Sequence, residues 1–435
     1  MIDYMSRYIR IASCVAVAIL SATAVFGQTD FEKAIRENPG RAAGVHHSYE
    51  FVPSAETPAP KGYKPFYVSH YGRHGSRRNI GSAAELSYTY MSAARDAGIL
   101  TPLGEELYQA VDAIHEDHVK MDGELTARGA REHRSIAERL YERTRPVWTD
   151  KARPMVNVQS SNIPRCLLSM ANFTASLDDK APQLRFTFDT GEKYLNLLAH
   201  NYFDQQAISA ANSRLFDSLA RVYVDPSRFM AAVFIDDPGR VSAVVPDPYE
   251  FMYQIYMYGS IRQCTETPDA DIFGRFFTED ELTGWYRCYN SRIYNSMGNS
   301  EAFGDNVLWA ARDLARDIIS RADAALSEGS DVAADLRFGH DSGILPLAGL
   351  IDIIGPGDRV PSDKASDSWQ SYVQIPMASN LQMVFYRKRG AEPLVKLYYN
   401  EREVLVRGLE PFSGPYYRWS ELKAHLEGRI AQFEL

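Results

Sequence analysis

The stretch Pro65-Phe66-Tyr67-Val68-Ser69-His70-Tyr71-Gly72-Arg73-His74-Gly75-Ser76-Arg77 passes from apolar to basic residues, and this change decides the fold. Residues 65–69 are dominated by aromatic and β-branched side chains, which predicts a short buried strand. Residues 72–75 combine two glycines with two basic residues, which predicts a loop. The chain therefore sets basic side chains directly after a strand.

The same arrangement occurs twice more along the chain. Residues 155–160 predict a second strand, and the polar loop after it contains Arg165. Residues 335–339 predict a third strand, which is followed at once by His340 and Asp341. Helical patterns follow the three loops, over residues 124–143, 166–177 and 344–351. Strand–loop–helix repeats predict an α/β fold, a mostly parallel sheet flanked by helices with its site at the carboxyl ends of the strands.

The remaining segments predict a cap inserted into the α/β core. Residues 28–62 look like an irregular lead-in. Residues 191–330 are rich in aromatics and carry few strand signals, so we expect a mainly helical cap inserted there, with its clearest helix over residues 305–327. The α/β core would then comprise residues 28–190 and 331–435. Its end should hold a C-terminal β-hairpin, residues 381–389 and 394–400, and a last helix over residues 419–433.

The first 27 residues predict a signal peptide rather than a folded element. Arg7 and Arg10 precede an uncharged apolar run that ends at Gly27, and this run is short for a membrane span of about 20 residues. We therefore expect export to the periplasm or the extracellular space, without stable membrane insertion. A lipoprotein box at Cys14 is a rival interpretation, but the apolar run follows this cysteine instead of preceding it.

Three cysteines remain after residue 27, namely Cys166, Cys264 and Cys288. An odd number in an exported protein permits one disulfide and one spare thiol. If a disulfide forms, we expect it between Cys264 and Cys288, because Cys166 lies beside a candidate site residue. The sequence contains no CxxC pair or Cys/His cluster of the kind that binds zinc, so we expect neither a metal nor another cofactor.

The overall charge argues against polyanionic partners. The chain has 435 residues, 45% of them hydrophobic, and a formal net charge of −9. Such a surface does not attract nucleic acid or acidic membranes. An anion site must therefore be built locally from basic residues. The loops after the three predicted strands supply such residues: Arg73, His74, Arg77, Arg78, Arg165 and His340.

This set of side chains matches the needs of a phosphate ester. Arginine offers a planar pair of donors that fits phosphate oxygens, and Gly75 allows the backbone to approach. His74, between Arg73 and Arg77, is placed to attack phosphorus as a neutral imidazole. Asp341 could protonate the leaving oxygen. The helix that begins beside Asp341 would add a favourable field for the anion.

Four motifs then resemble the histidine acid phosphatase family, branch 2 of the histidine phosphatase superfamily, which holds phytases and multiple inositol polyphosphate phosphatases. Arg73-His74-Gly75-Ser76-Arg77 resembles its RHGxR signature, and Leu125-Thr126-Ala127-Arg128-Gly129 resembles its LTxRG segment. Ser160-Ser161-Asn162-Ile163-Pro164-Arg165 resembles the segment that supplies a further arginine. Gly339-His340-Asp341 resembles its HD pair. The motifs follow the family's order across residues 66–350.

The resemblance implies a role for each matching position. It makes His74 the nucleophile and Asp341 the proton donor. It makes phosphate ligands of the other matching residues, which are Arg73, Arg77, Arg165 and His340. Arg78 is a candidate for an outer contact with the substrate. Two positions depart from the family's pattern. Asn79 stands where the family usually has proline, which concerns the rigidity of the loop. His340-Asp341 stands where multiple inositol polyphosphate phosphatases carry His-Ala-Glu, which leaves the subfamily open.

Structural interpretations compete with each of these assignments. His70 and His74 could be a metal pair, but their spacing aligns two ligands only on a helix. The arginines could form a solvated charged face, and His340-Asp341 could be an ordinary helix cap. Arg128 could serve only to hold the start of its helix. The combination of the three loops favours a common site.

The sequence therefore predicts a secreted acid phosphatase that forms a phosphohistidine and takes a phosphorylated small molecule, with inositol polyphosphates such as phytate as the expected substrates. Two alternatives stay open, one of them an enzyme and the other a binding protein. One is a broad-specificity acid phosphatase or sugar phosphatase. The other is a secreted protein that binds phosphorylated ligands without turnover. Protein partners and oligomeric state are not indicated by any motif.

Overall fold

The computed structural model describes residues 31–80, 82–199, 205–267 and 271–433, and for residues 82–84 it describes only the backbone. The predicted signal peptide and Cys14 lie outside these residues. Within them, no helix is both long enough and apolar enough to cross a membrane.

A mixed sheet of eight strands forms the centre of the α/β fold. Its strands, in chain order, are β1 Lys64–Arg73, β2 Met155–Ser160, β3 Arg185–Thr190, β4 Val332–Gly339, β5 Asn380–Arg387, β6 Leu394–Tyr399, β7 Arg402–Glu403 and β8 Tyr416–Arg418. The spatial order is β3-β2-β4-β1-β5-β6-β7, and β8 pairs with β6. The predicted parallel sheet is thus the half β3-β2-β4-β1, and the antiparallel hairpin β5–β6 extends it.

Strand β1 is longer than its sequence pattern predicts. Gly72 and Arg73, expected in a loop, are its last two residues. The reason is pairing on both sides: Gly72 is opposite Phe338 of β4 and also opposite Asn380 of β5. A strand between two neighbours gains hydrogen bonds and burial that override a poor local β propensity. Residues 66–73 are buried throughout, so the Arg73 side chain extends from a strand that lies in the protein core.

Helices cover both faces of the sheet. Before β2 these are α1 Phe31–Glu37, α2 Ser82–Asp96, α3 Pro102–His118, α4 Ala127–Arg143 and α5 Arg145–Trp148. Between β2 and β3 lies α6 Pro164–Lys180, and after β4 come α16 Asp341–Ile351, α17 Ala365–Ser368, α18 Ser371–Gln374 and α19 Trp419–Gln432. Two hydrophobic clusters, one of them containing Val68 and Leu336 and the other Tyr67 and Leu381, fill the space between sheet and helices.

The described residues between β3 and β4 contain helices and no named strand. They are α7 Glu192–Ala199, α8 Gln205–Tyr223, α9 Ser227–Val233, α10 Pro238–Val244, α11 Pro248–Arg262, α12 Ile272–Phe276, α13 Glu279–Met297, α14 Gly304–Ala310 and α15 Arg312–Leu326. The helix predicted over residues 305–327 is therefore two helices. They separate at Ala311, where the Arg312 side chain donates to the carbonyl of Trp309 (Nε–O 2.9 Å). The division into core and cap stays a prediction.

The lead-in segment is more ordered than predicted. Helix α1 is followed by a 3-10 helix over Pro39–His46, whose Asn38 side chain accepts a hydrogen bond from the Gly40 amide. Residues 42–46 are buried. The alanines and glycines of this segment form no periodic apolar pattern, so the sequence does not predict its burial. The burial comes from the helices that pack over it.

The expected disulfide between Cys264 and Cys288 is absent. Both thiols, and that of Cys166, are free and buried. Cys264 Sγ instead donates to the backbone carbonyl of His46, at 3.1 Å. Burial raises the pKa of Cys166 and of Cys264 to about 11 and that of Cys288 to about 12.

Candidate active site

The site forms where three parallel strands end together. Arg73, the last residue of β1, is paired with Gly339 of β4, and Ser160 of β2 is paired with Phe338. The residues that follow are tied across the strands, since the His74 amide donates to the Gly339 carbonyl at 2.9 Å. The three predicted loops therefore meet at one edge of the sheet, as the sequence indicates.

The loop after β1 is held by the start of helix α4. A Cβ placed on Gly75 would lie 2.7 Å from the Gly129 Cα, and one on Gly129 would lie 2.3 Å from the Ser76 carbonyl oxygen. Two glycines are thus needed for the loop and the helix to touch. Thr126 caps the helix by accepting from the Gly129 amide at 3.2 Å. This contact accounts for the threonine and the glycine of the LTxRG segment, and Arg128 between them is exposed.

Glu132 anchors the same loop from the next turn of α4. Its carboxylate accepts from the Ser76 amide and hydroxyl, both at 2.7 Å, and from the Tyr49 amide at 3.0 Å. Burial raises the pKa of Glu132, although these donors act against the shift. The residue fixes the loop backbone without reaching the strand ends.

His74 is buried, with 2% of its surface exposed. Its Nδ1 lies 2.9 Å from the Gly75 carbonyl oxygen. A carbonyl can only accept, so Nδ1 carries the hydrogen and Nε2 has the free lone pair. Burial lowers the pKa of His74 well below its usual value, and the charges of Arg73 and Arg165 add to the effect. The imidazole is therefore neutral, which is the nucleophilic form.

Arg73 is fully buried and fixed before any ligand arrives. Its Nη1 donates to the carbonyls of Val45 and Ile375, both at 2.8 Å. Its Nη2 lies 2.9 Å from Asp341 Oδ2, and 23% of the Asp341 side chain is exposed. Burial would raise the pKa of Asp341, but the charges of Arg73, His340 and Arg77 outweigh it and bring the pKa to about 2. Without a ligand, Asp341 is a carboxylate.

His340 and Arg165 form the opposite side of the site. His340 Nε2 lies 3.0 Å from the Ser161 hydroxyl, and its Nδ1 lies 3.5 Å from Arg165 Nη2. Burial and then the charge of Arg165 lower the pKa of His340 to about 4. The ring of His340 meets that of His74 edge-on, with centroids 5.7 Å apart. Arg165 also acts electrostatically on Arg77, whose pKa is lowered by burial and by neighbouring arginines to about 10.

The structure brings together six of the seven predicted residues: His74, Asp341, Arg73, Arg77, Arg165 and His340. Arg78, the candidate outer contact with the substrate, forms an ion pair with helix α3. Its Nε and Nη2 donate to the two carboxylate oxygens of Asp117, both at 2.9 Å. Three guanidinium groups against one carboxylate make the site cationic in a chain of net charge −9, and such a site favours a dianion.

Sequence patterns do not predict three further side chains near this site. His46 has its Nε2 3.4 Å from Arg77 Nη2. Tyr289 and Arg292 of helix α13 are close enough that the Arg292 charge acts on both Tyr289 and His46. No motif marks these positions, because they come from the lead-in and the helical region. Only their position in the folded structure identifies them.

The described residues contain no cluster of three histidine, cysteine or carboxylate side chains that could hold a metal ion. His70 and His133 lie beneath the loop, and their rings pack on Phe173 and Phe338. The independence from metal stays a prediction.

Comparison with known proteins agrees with this geometry. The histidine phosphatase superfamily (branch 2) matches residues 279–400. No curated protein matches the chain in sequence. Among solved structures, the multiple inositol polyphosphate phosphatase of Bifidobacterium longum in complex with inositol hexasulfate is similar, with a TM-score of 0.76, 20% identity, and coverage of 89% of this chain and 97% of that one.

Two phytases share the fold as well. The D. castellii phytase has a TM-score of 0.66 and 14% identity, with 90% of this chain and 85% of that chain covered. The Hafnia alvei phytase has a TM-score of 0.53 and 14% identity, with 86% and 99% covered.

The α/β sheet, the neutral histidine among arginines at its strand ends and the family match together support a phosphomonoesterase. The match of residues 279–400 to branch 2 of the histidine phosphatase superfamily, and the fold shared with these solved structures, are consistent with this class.

Proposed function

We propose that this phosphomonoesterase works through a phosphohistidine on His74, with inositol polyphosphates as its substrates, and that it acts outside the cytoplasm. The observation that carries the proposal is the hydrogen bond from His74 Nδ1 to the Gly75 carbonyl, among three arginines. It leaves Nε2 unprotonated on a ring that the charges of those three arginines reach.

In the first step His74 Nε2 forms a bond to phosphorus while the bond from phosphorus to the ester oxygen breaks. Arg73, Arg77, Arg165 and His340 bind the phosphate oxygens and stabilise the charge that develops on them. Asp341 transfers its proton to the departing alkoxide. In the second step water attacks phosphorus, Asp341 accepts a proton from it, and the N–P bond breaks to release inorganic phosphate and free His74.

The proton donor must first become protonated. The free site holds Asp341 as a carboxylate beside Arg73. A bound phosphate dianion competes for the same Arg73 Nη2 and brings negative charge next to the carboxylate. Both effects raise the pKa of Asp341. Substrate binding therefore prepares its own proton donor, and this preparation is most complete in acid.

Arg292 supports a substrate with several phosphates. It lies beside a cleft of about 590 Å³ between helices α8 and α13. Its guanidinium carbon is 5.8 Å from the centre of the Tyr289 ring. Among the described residues, its side chain has neither a carboxylate partner nor a hydrogen bond. A partly buried, uncompensated arginine near the phosphate site could bind a second phosphate of the same molecule.

The test is phosphate release from four substrates, with and without a chelator. We expect inositol hexakisphosphate to be hydrolysed with a higher kcat/KM than glucose 6-phosphate, a phosphopeptide or nitrophenyl phosphate. Chelation should leave all rates unchanged. Equal rates on the first two substrates would indicate a broad or sugar phosphatase, and phosphate binding without release would indicate a binding protein.

A matched pair of variants sharpens this test. Arg292→Ala should lower kcat/KM on inositol hexakisphosphate about ten- to a hundred-fold, the usual cost of a charge-assisted contact, with a much smaller effect on nitrophenyl phosphate. Arg214→Ala removes an exposed charge from helix α8 and should change neither. Equal losses from the two variants would contradict a role for Arg292 in binding.

Export is supported by the basic residues and apolar run before Gln28. Mass spectrometry of protein from its native host should find a chain that begins near Gln28. A diacylglyceryl group on Cys14, or an intact residue 1 in the exported fraction, would contradict cleavage at this point.

A further inference from the structure

The 3-10 helix Pro39–His46 lies against the arginines of the site. The carbonyl of Val45 accepts from Arg73, and the side chain of the next residue, His46, contacts Arg77. His46 is 4% exposed. The segment thus reaches two of the three arginines from outside the loops that carry them.

The hydrogen bonds of His46 fix its tautomer. Its Nδ1 lies 2.9 Å from the Ser260 hydroxyl of helix α11, and that hydroxyl donates its own hydrogen to the Met257 carbonyl at 2.7 Å. Because the Ser260 hydrogen is already used, His46 Nδ1 must be the donor of this pair. Its Nε2 is then an acceptor, and it faces Arg77 Nη2.

Arg77 is held on one side by these contacts. Its Nη1 donates to the Arg78 carbonyl at 2.9 Å, and its Nη2 faces His46. Its Nε is buried and has no hydrogen-bond partner among the described residues. A guanidinium fixed in this way keeps Nε and a second Nη2 hydrogen available to an anion.

We propose that His46 is a positioning residue, which accepts a hydrogen bond from Arg77 and so orients its guanidinium for phosphate. It links helix α11, through Ser260, to the phosphate site. The inference rests on the proposed function for its ligand, and it adds a residue outside every motif of the sequence.

The charge state of His46 is consistent with this role. Burial lowers the pKa of His46 well below its usual value, and the charges of Arg77 and Arg73 lower it further. A protonated imidazole would repel Arg77, whereas the neutral ring accepts from it.

Two polar substitutions of His46 test the hydrogen-bond acceptor at Nε2 separately from the donor at Nδ1. His46→Asn can keep a donor near Ser260 but loses the acceptor at Nε2. His46→Gln can keep an acceptor near Arg77 but loses the donor. Binding of inorganic phosphate is measured by calorimetry, so that turnover is not required. We expect Asn to weaken phosphate binding about tenfold and Gln to weaken it less than threefold. Equal losses would overturn the proposal.

The same His46 substitution in an Arg77→Lys variant distinguishes a positioning role from simple packing. In Arg77→Lys the guanidinium is gone, so His46→Asn should cause no further loss of phosphate binding. Additive losses would mean that His46 acts on structure and not through Arg77. If the wild type binds phosphate but releases none from any ester, the proposed function fails while this inference can still hold.

A measurement on the unaltered protein covers the case in which a variant does not fold. In ¹⁵N-labelled wild type, the imidazole nitrogens of His46 should report a neutral ring with hydrogen on Nδ1. A hydrogen on Nε2 would exclude the bond from Arg77 and overturn the proposal.

Discussion

Replacement of His74 by alanine should abolish phosphate release while the fold persists. The side chain makes its hydrogen bond to the adjacent Gly75 carbonyl, so its removal disturbs few contacts outside the loop. Loss of the nucleophile removes the covalent route altogether, and we expect kcat to fall by at least about 10⁴-fold. Phosphate release on an ester, with thermal unfolding recorded in parallel, is the measurement.

The covalent intermediate provides a direct check. Wild type quenched in base during turnover should carry one phosphate on His74, and this phosphate should be lost in acid, as expected for an N–P bond. His115→Ala is a suitable control, because His115 stacks on Tyr88 of helix α2 and should not affect turnover. Near-normal activity in His74→Ala would refute the mechanism.

Replacement of Asp341 by asparagine should affect substrates according to their leaving groups. An alkoxide needs a proton as it departs, and we expect a loss of about 10²–10⁴-fold on an alkyl phosphate, the usual range for acid–base catalysis. A nitrophenolate needs little protonation, so the loss should be much smaller there. The comparison uses the first turnover, because the proposed mechanism also uses Asp341 in the hydrolysis of the phosphoenzyme.

The same variant should change the dependence on pH. The pKa of Asp341 in the free site is about 2, and the proposed mechanism requires its protonated form. For the wild type, kcat/KM on an alkyl phosphate should therefore fall as pH rises from acid to neutral. Asp341→Asn has no such group and should lose this slope. Equal first-turnover losses on both substrates would assign the donor to another residue and leave Asp341 to orient Arg73.

The sequence predicts those parts of the fold that local patterns encode. The residues after β1, β2 and β4 meet as expected because parallel strands end at one edge. The length of β1 was not predictable from residues 72 and 73, because it depends on pairing with β4 and β5 on both sides. The break at Ala311 is likewise not marked by the apolar spacing of residues 305–327, and the Arg312 side chain donates to the carbonyl of Trp309 there.

The candidate site shows the same limit. Arg73, His74 and Arg77 stand in one motif, so their proximity follows from the chain itself. His46 lies 31 residues before Arg77, which it contacts, and Glu132 lies on helix α4, the third helix after the loop. Each is an ordinary polar residue in its own segment. The outer contact expected from Arg78 stays a prediction. This residue is adjacent to the motif, yet Asp117 binds both ends of its guanidinium.

The buried thiols bear on how this enzyme can be made. Cys166, Cys264 and Cys288 are unpaired and enclosed, and their raised pKa values keep them protonated and slow to oxidise at neutral pH. Maturation of the described residues thus waits for no oxidant and no disulfide isomerase. Dithiothreitol should therefore leave the structure of the described residues intact.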